Sequence, residues 1–407
     1  MSRSNKVQEI VLSEEHKTLR LVLFVLVLAV ALTAFTYGIY HLVRKDPGWR
    51  TVTVKPAEVG GTCAHEFTFQ YKLGSGGAAE YKQVQQVYSD ACTYMYEVFS
   101  LEPSVLVQGN LYQVNATPGQ DVQVDPFLYQ TLQQVEESGT RALYLAPVYE
   151  YYKSLFQCSD DASAQLVDPA FDADAAEDIR NLCAFINDPE AIRLEFPAEN
   201  TVRLEVSDAY KAYAEESGIM AYVDLYWLQD AFELDYIAEQ LVDNGMTTGY
   251  ITSQSGLSIS LGTVGETCST QVYDRQPEGI YAACVLEYDA PVRIAAFHDY
   301  TTEQDLADRY YMYADGTARF PYIDPKDGVC KASIHDLVLV SEQQSLAEMV
   351  LKAFPVLVGD TLDLTALNAL PCDKVYCNDR TVYASQGLTL TKIFQNEEVT
   401  YQSVTLS

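Results

Sequence analysis

The segment DLYWLQDAFELD, residues 224–235, decides the fold of this chain. Over residues 231–241 the apolar side chains recur at helical spacing, which predicts an amphipathic helix. Asn244 and Gly245 follow this pattern and predict the C-terminal end of the helix. The predicted apolar face needs a partner surface, and it consists of Phe232, Leu234, Ile237, Ala238 and Leu241.

Helical and strand patterns alternate on both sides of this segment. Residues 333–340 predict a strand that leads into SEQQ, residues 341–344, a capping-box pattern before an apolar helix that Pro355 should weaken. Several of the predicted strands are close enough to form hairpins, so an α+β fold is expected. The other predicted helices are residues 79–99 and 125–136, and the other strands are residues 202–206, 248–261, 280–288 and 292–297.

Composition limits the possible partners. The chain has 407 residues, and its 57 acidic against 26 basic residues give a formal charge of −31. Such a charge argues against nucleic acid, whose phosphates would be repelled, and against adhesion to an anionic membrane surface. With 48% apolar residues the chain is expected to fold, and residues 61–407 suffice for one large domain or two smaller ones.

An uncharged run, LVLFVLVLAVALTAFTYGIY, occupies residues 21–40. A helix of that length spans about 30 Å, the hydrocarbon thickness of a bilayer. A cleaved signal peptide is the alternative, but no A-x-A-like site follows the run. We therefore expect a cytoplasmic tail at 1–20, a membrane helix at 21–43, a linker at 44–60 and an extracytoplasmic domain at 61–407. The basic residues on the two sides are nearly balanced, and we favour an inside N-terminus.

All nine cysteines lie on the predicted outer side, where disulfides persist. The odd number leaves at least one cysteine free or paired elsewhere. Proximity suggests the pairs Cys372–Cys377, Cys268–Cys284 and Cys158–Cys183, with Cys330 unpaired, but spacing alone leaves the connectivity open. The absence of a C-x-x-C pattern in the sequence argues against zinc.

Three segments, in chain order, carry a resemblance to one enzyme family. Residues 224–235 are similar to the family segment DLGGIAKGYAVD. Residues 309–311 (RYY), Gly316 and residues 323–328 (IDPKDG) resemble its series RYF, DG and HIIDPxTG. Residues 345–354 (SLAEMVLKAF) resemble its helix GLADALSTALF. The family is ApbE, the FAD:protein FMN transferases.

Gly61-Thr62 matches the GT that opens the family's domain, so the resemblance covers nearly all of residues 61–407. It implies an extracytoplasmic enzyme, in many members membrane-anchored, that binds FAD with a magnesium ion. Such an enzyme cuts the pyrophosphate and attaches FMN to a Thr or Ser of a partner redox protein. The residues implied at the flavin nucleotide are Asp224, Asp299, Tyr300, Asp324 and Lys352, and those implied at the metal are Glu348 and Ala347.

The chain departs from the family at the positions that handle protons and metal. Pro321 lies where the family has a histidine, and proline cannot exchange a proton. In the metal helix, Glu348 replaces an aspartate and Lys352 replaces a threonine. A glutamate still suits magnesium as an oxygen ligand, whereas an ammonium does not. Glu348 and Lys352 are predicted to form an ion pair one turn apart; alternatively, the ammonium takes the place of the metal beside phosphate.

Two further departures affect the phosphate region. Tyr226 and Trp227 replace a glycine pair, and Asp230 replaces a lysine. Bulky side chains prevent close approach of the backbone to phosphate, and a carboxylate repels it. Weakened nucleotide binding is therefore expected. The two aromatic residues either fill the core or stack on a ring, and the sequence leaves both options open.

The run FHDY, residues 297–300, resembles the family's SGDY turn near the flavin, with His298 in place of the glycine. His298 beside Asp299 is the candidate replacement for the missing base, because histidine titrates near neutral pH. The alternative is an ordinary turn histidine, and then His298→Ala would leave any flavin transfer unchanged.

These observations favour one hypothesis and leave two alternatives. The favoured one is a membrane-anchored, extracytoplasmic ApbE-like protein that binds flavin and has lost most or all transferase activity. The first alternative is an active transferase with a site rebuilt from Glu348, Asp324 and His298. The second is a non-catalytic partner in an envelope redox assembly, with some of the 30 tyrosines forming contact surface.

Overall fold

A computed structural model describes residues 17–43, 47–55, 61–262, 267–276, 279–301, 309–395 and 399–406. Most of the predicted cytoplasmic tail, residues 1–16, and linker residues 44–46 and 56–60 lie outside the described part. The chain divides into two compact units, one of residues 1–48 and 73–82 and one of residues 49–72 and 83–407.

The first unit contains helix α1, Lys17–Val43, whose described apolar side chains at residues 21–37 are exposed. Within the part of the chain that the structure describes, no helix combines the length and apolarity needed to cross a membrane. The membrane helix expected at residues 21–43 therefore stays a prediction.

The remaining elements follow in chain order. The helices are α2 (Gly77–Phe99), α3 (Leu111–Ala116), α4 (Pro126–Glu137), α5 (Ala146–Phe156), α6 (Asp161–Gln165), α7 (Ala173–Ile186), α8 (Asp208–Ser217), α9 (Gln229–Asp243), α10 (Leu346–Leu357) and α11 (Leu364–Ala369). The strands are β1 (Gly48–Val52), β2 (Phe67–Leu73), β3 (Asp121–Gln123), β4 (Ile192–Ala198), β5 (Thr201–Val206), β6 (Gly249–Ser253), β7 (Leu257–Ser260), β8 (Thr267–Gln276), β9 (Gly279–Asp289), β10 (Val292–His298), β11 (Tyr311–Met312), β12 (Ala318–Arg319), β13 (Asp336–Ser341), β14 (Asp373–Asn378), β15 (Thr381–Ser385), β16 (Thr389–Ile393) and β17 (Gln402–Leu406).

A nine-stranded sheet in the order β1-β2-β6-β7-β10-β13-β14-β15-β17 organises the second unit. Antiparallel pairing of β10 with β7 and β13 places alternate residues of β10 on each face. Helices α9 and α10 contact each other and pack on β7 and β10. The apolar face predicted for residues 231–241 is buried there, which confirms the helix and supplies its partner surface.

Smaller sheets flank this frame. Strands β3, β5 and β4 form one, and β16, β9 and β8 form another, whose apolar side chains join the core of the large sheet around Val272, Leu286 and Val338. The predicted α+β class is therefore confirmed, with strands and helices largely segregated along the chain.

The predicted strand at residues 248–261 is a hairpin of β6 and β7. Gly256 turns the chain at φ +89°, and a Cβ there would lie 2.4 Å from the carbonyl oxygen of Ala296, so only glycine fits. The predicted capping box at residues 341–344 is wrong by one turn. Ser345 caps α10 instead, with Glu348 completing the box. Pro355 lies inside α10, which ends two residues later at Leu357.

All nine cysteines are free thiols, so the suggested bridges are wrong. Cys372 and Cys377 are separated along β14, where five extended residues span roughly 16 Å, far beyond disulfide reach. Cys268 and Cys284 lie on paired strands but four residues out of register, since Cys268 faces Tyr288. Closeness in sequence was therefore a poor guide to the distance between these cysteines, because they lie in or beside extended strands.

Candidate functional site

A cleft of about 420 Å³, here called the Asp230 cleft, opens beside the start of α9. Its volume falls within the usual range of small-molecule sites. The lining combines the rings of Tyr96, Phe99 and Tyr226 with the charged groups of Lys153 and Arg309. Asp224 lies here as predicted, and its carboxylate accepts a hydrogen bond from Lys153 Nζ at 3.1 Å.

The floor of this cleft is an internal ion network. Arg309 donates to both carboxylate oxygens of Asp230, at 3.1 and 3.2 Å, and also to Glu66. Ser255 Oγ donates to Asp230 Oδ2 at 2.6 Å. Burial raises the pKa of Asp230 to about 6, although Arg309 opposes the rise. The buried guanidinium is thus already neutralised by the protein's own carboxylates.

Glu233, one turn further along α9, adds a third acid to this region. Only 1% of Glu233 is exposed, and burial raises its pKa well above the ordinary value. Gln229 Nε2 donates to its Oε1 at 2.8 Å. Burial therefore disfavours the charged form of this third carboxyl group beside the ion network.

Tyr226 and Trp227 fill the space that a glycine pair would leave open. Tyr226 adopts a left-handed backbone, φ +47°, and its ring lies 4.7 Å from that of Tyr149. Trp227 is 2% exposed and packs against Tyr322 and Phe354. The sequence left open whether these two residues fill the core or line a site, and the structure gives a different answer for each. Trp227 fills the core, whereas Tyr226 lines the cleft, where Lys153 Nζ lies 5.1 Å from its ring centre.

A second cavity of about 510 Å³, here called the hydroxyl groove, lies next to the cleft. Ser253 and His298 line the groove, and Ser253 Oγ lies 2.6 Å from Ser255 Oγ, which in turn bonds Asp230 in the cleft. Tyr310 lines the groove directly after Arg309 in the chain. The cleft and the groove thus share the elements that hold the ion network.

The predicted base His298 lies at the wall of the groove above a buried acid. Its Nδ1 lies 3.5 Å from Asp336 Oδ2, an ion-pair distance. The same oxygen accepts hydrogen bonds from Tyr300 Oη and from the backbone N–H of Tyr273, both at 2.8 Å. Burial lowers the pKa of His298, but Asp336 more than offsets this and raises it. The histidine is therefore paired with Asp336, not with its neighbour Asp299.

Asp299 and Tyr300, both predicted at the flavin, lie in the same region with separate partners. Asp299 Oδ2 bonds His335 Nδ1 at 2.7 Å and accepts from Arg275 at 2.9 Å. The hydrogen bond to Asp299 raises the pKa of His335. Burial and Asp336 raise the pKa of Tyr300, so its hydroxyl stays protonated.

Asp324 belongs to a different cluster. Its carboxylate accepts from Lys331 Nζ at 2.9 Å, and Lys331 also reaches Asp327 at 2.6 Å and Asp360 at 2.7 Å. These three acids could together hold a cation, but the lysine ammonium already lies among them. Lys331 therefore already supplies one cation to this cluster of three carboxylates.

The predicted metal residues lie at the first turn of α10. Glu348 Oε2 accepts from the N–H of Ser345 at 3.2 Å, and the N–H of Ala347 donates to Asp235 at 2.9 Å. Lys352 Nζ donates to Gln344 Oε1 at 3.1 Å, so the predicted pairing with Glu348 is replaced by this bond. The Asp324 cluster lies at the other end of α10, because Ser333, two residues after Lys331, donates its N–H to the carbonyl of Leu357. Along the helix axis, Leu357 is about 13 Å from Glu348.

Comparison with solved structures identifies the fold. The flavin transferase ApbE from Vibrio cholerae matches 84% of this chain and 98% of its own, with a TM-score of 0.55 at 13% identity. A mutant of that enzyme matches 79% and 94%, at TM-score 0.48 and 15% identity. The ApbE protein of Thermotoga maritima matches 76% and 90%, at TM-score 0.46 and 12% identity. No family model and no curated protein sequence matches.

The chain therefore has the fold of the ApbE flavin transferases, as the sequence motifs predicted. The sequence did not predict two groups that pair with charged residues of the site. Arg309, which pairs with Asp230, was recognised only as part of RYY, and Asp336, which pairs with His298, belongs to no motif. The partner of Arg309 could not be predicted from local spacing, because Asp230 lies 79 residues away in the sequence.

The residues present fit a flavin ring better than they fit magnesium. A planar ring suits a cleft bounded by Tyr96, Phe99 and Tyr226. At the metal helix, by contrast, Glu348 is used in the capping box and Lys352 contributes a positive charge. A magnesium site does not fit these two residues.

Proposed function

We propose that this protein is a membrane-anchored, extracytoplasmic flavin-binding protein of ApbE fold that has lost efficient flavin transfer. The observation that carries the proposal is the ion network at the floor of the Asp230 cleft. Where the family motif has a lysine, this chain has the buried Asp230, and both of its carboxylate oxygens accept hydrogen bonds from Arg309. A cation engaged in this way cannot also neutralise a pyrophosphate.

Three further features support loss of transfer. Pro321 replaces the family's histidine, Glu348 is committed to capping α10, and Lys352 carries a charge that repels a metal ion. His298 is the nearest replacement base, but Asp336 raises its pKa and so favours the protonated form, which cannot accept a proton. An active transferase rebuilt from Glu348, Asp324 and His298 is disfavoured because each of these groups is engaged by a different part of the protein.

The anchoring part of the proposal rests on the uncharged run at residues 21–40, which forms part of helix α1. Its length matches the bilayer core, and the acidic remainder of the chain would lie outside. In that position the protein would act near membrane redox proteins, and a role as a non-catalytic partner in such an assembly remains the alternative.

The test uses the full-length chain in a mild detergent, with the Vibrio cholerae enzyme as positive control. Flavin binding is measured by equilibrium dialysis, and transfer by mass spectrometry of a co-expressed acceptor protein after incubation with FAD and magnesium. We expect saturable binding of a flavin and no covalent FMN on the acceptor. Covalent FMN at a rate near that of the control would overturn the loss of transfer, and absence of binding for every flavin would overturn flavin binding.

A further inference from the structure

Apart from His298, the described lining of the hydroxyl groove carries no carboxylic acid, lysine or arginine. Its described residues offer hydroxyl groups of serine, threonine and tyrosine, the amides of Gln254 and Gln271, and small apolar side chains. His298 is the one lining residue among them that can carry a charge near neutral pH. The described lining thus contains no carboxylate, lysine or arginine, although the chain has a formal charge of −31.

The cations nearest the groove are already engaged by carboxylates. Arg309 is held by Asp230, and Arg275 donates to Asp299 and to the carbonyl of Gly316. Asp336, below His298 and Tyr300, has two neutral donors and the His298 ring at its Oδ2, and its Oδ1 has no hydrogen-bond partner among the described residues. The fixed charge around the groove is therefore balanced or negative.

A phosphate ester and a polyol meet such a groove very differently. A phosphate dianion only accepts hydrogen bonds and needs a cation or converging N–H groups. A chain of hydroxyl groups both donates and accepts, which matches serine, threonine and glutamine side chains. Tyr273, which is half-buried at the same groove, adds ring surface on which a planar heterocycle can pack.

We propose that the groove and the adjoining Asp230 cleft select the uncharged flavin, riboflavin, over its phosphate esters FMN and FAD. This inference rests on the proposed flavin-binding function and names the form of flavin that the site takes. The isoalloxazine ring lies against the aromatic side chains, and the ribityl hydroxyls bond the polar lining. Among the described residues of the cleft and the groove, the phosphates of FMN and FAD meet only cations that carboxylates already hold, and they face those carboxylates as well.

The experiment compares riboflavin, FMN and FAD by equilibrium dialysis against the full-length chain at low and high salt. We expect riboflavin to bind at least roughly tenfold more tightly than either ester at low salt, since one repelled charge is worth about that factor. The difference should shrink at high salt, while riboflavin binding stays unchanged. Equal or tighter binding of FMN or FAD would overturn the selectivity and leave flavin binding intact. Failure of all three flavins to bind would overturn the proposed function itself.

A charge-adding variant provides a second readout. Gln254 is exposed at the groove, so Gln254→Lys adds a cation without disturbing the core. We expect FMN to bind roughly tenfold more tightly to this variant, with riboflavin within about twofold of the wild type. Gln120→Lys makes the same change at an exposed loop between α3 and β3 and should alter neither affinity. An unchanged FMN affinity in Gln254→Lys would show that charge at the groove does not set the preference.

Discussion

Removing Arg309 should leave a buried carboxylate without its cation. Asp230 is 1% exposed, and Arg309 bonds both of its oxygens. Breaking a buried pair by removing one partner costs about 3–5 kcal/mol of unfolding free energy. We expect Arg309→Met to lose that much at pH 8, where Asp230 would otherwise be ionised.

The loss should depend on pH in a defined direction. The pKa of Asp230 is about 6 because burial outweighs the attraction of Arg309, and without Arg309 it rises further. Above pH 6 the native variant keeps a proton that the native wild type has released, while both unfolded chains have released it. The difference in unfolding free energy should therefore grow by about 1.4 kcal/mol per pH unit until the variant's own pKa is reached.

Urea denaturation of the full-length chain at several pH values measures this, with fluorescence of the buried Trp227 as one probe. Adding Asp230→Asn to Arg309→Met should recover most of the loss at pH 8, since residue 230 is then uncharged and the remaining acid, Glu66, is partly exposed to solvent. Arg193→Met is the matched control, because Arg193 pairs with Glu195 at the surface and should cost less than about 1 kcal/mol. A loss that is the same at pH 5 and pH 8 would refute the reasoning.

Three further outcomes are expected. Trp227→Ala should cost about 3–5 kcal/mol by urea denaturation, since the indole packs 5.0 Å from the Tyr322 ring; a loss below about 1 kcal/mol would contradict a core role. Glu348→Ala should cost about 1 kcal/mol through loss of the capping box, and neither this change nor a metal chelator should alter flavin binding in dialysis. For His298→Gln, the stability gained from Asp336 is present below the unfolded pKa of about 6.5 and is lost as pH rises through the raised folded pKa, so thermal melts should separate the proteins at pH 5.5 and converge at high pH. A separation that widens with pH would mean that the sign is wrong.

Part of the fold was predictable because the spacing of apolar residues along the sequence indicates which side of a helix or strand is buried. The apolar spacing of residues 231–241 predicted α9, and the alternation of residues 202–206 predicted β5. The motif order predicted the ApbE fold even though 13% identity remains with the Vibrio cholerae enzyme. The hairpin turn at Gly256 was missed because the need for glycine comes from Ala296, on a strand that is distant in sequence.

The sequence by itself determined several of the elements, the fold class and the departures at Pro321, Asp230 and Lys352, since each of these depends on residue type and local spacing. Only the tertiary structure decided which charges meet. Arg309 reaches Asp230 across 79 residues, and Glu348 caps its own helix. Such pairings follow from how loops close and helices dock, and many sequences with the same pattern of apolar residues would pair their charges differently. The hydroxyl groove, whose described lining has no carboxylate, lysine or arginine, likewise depends on how the folded chain pairs its ionised groups with one another.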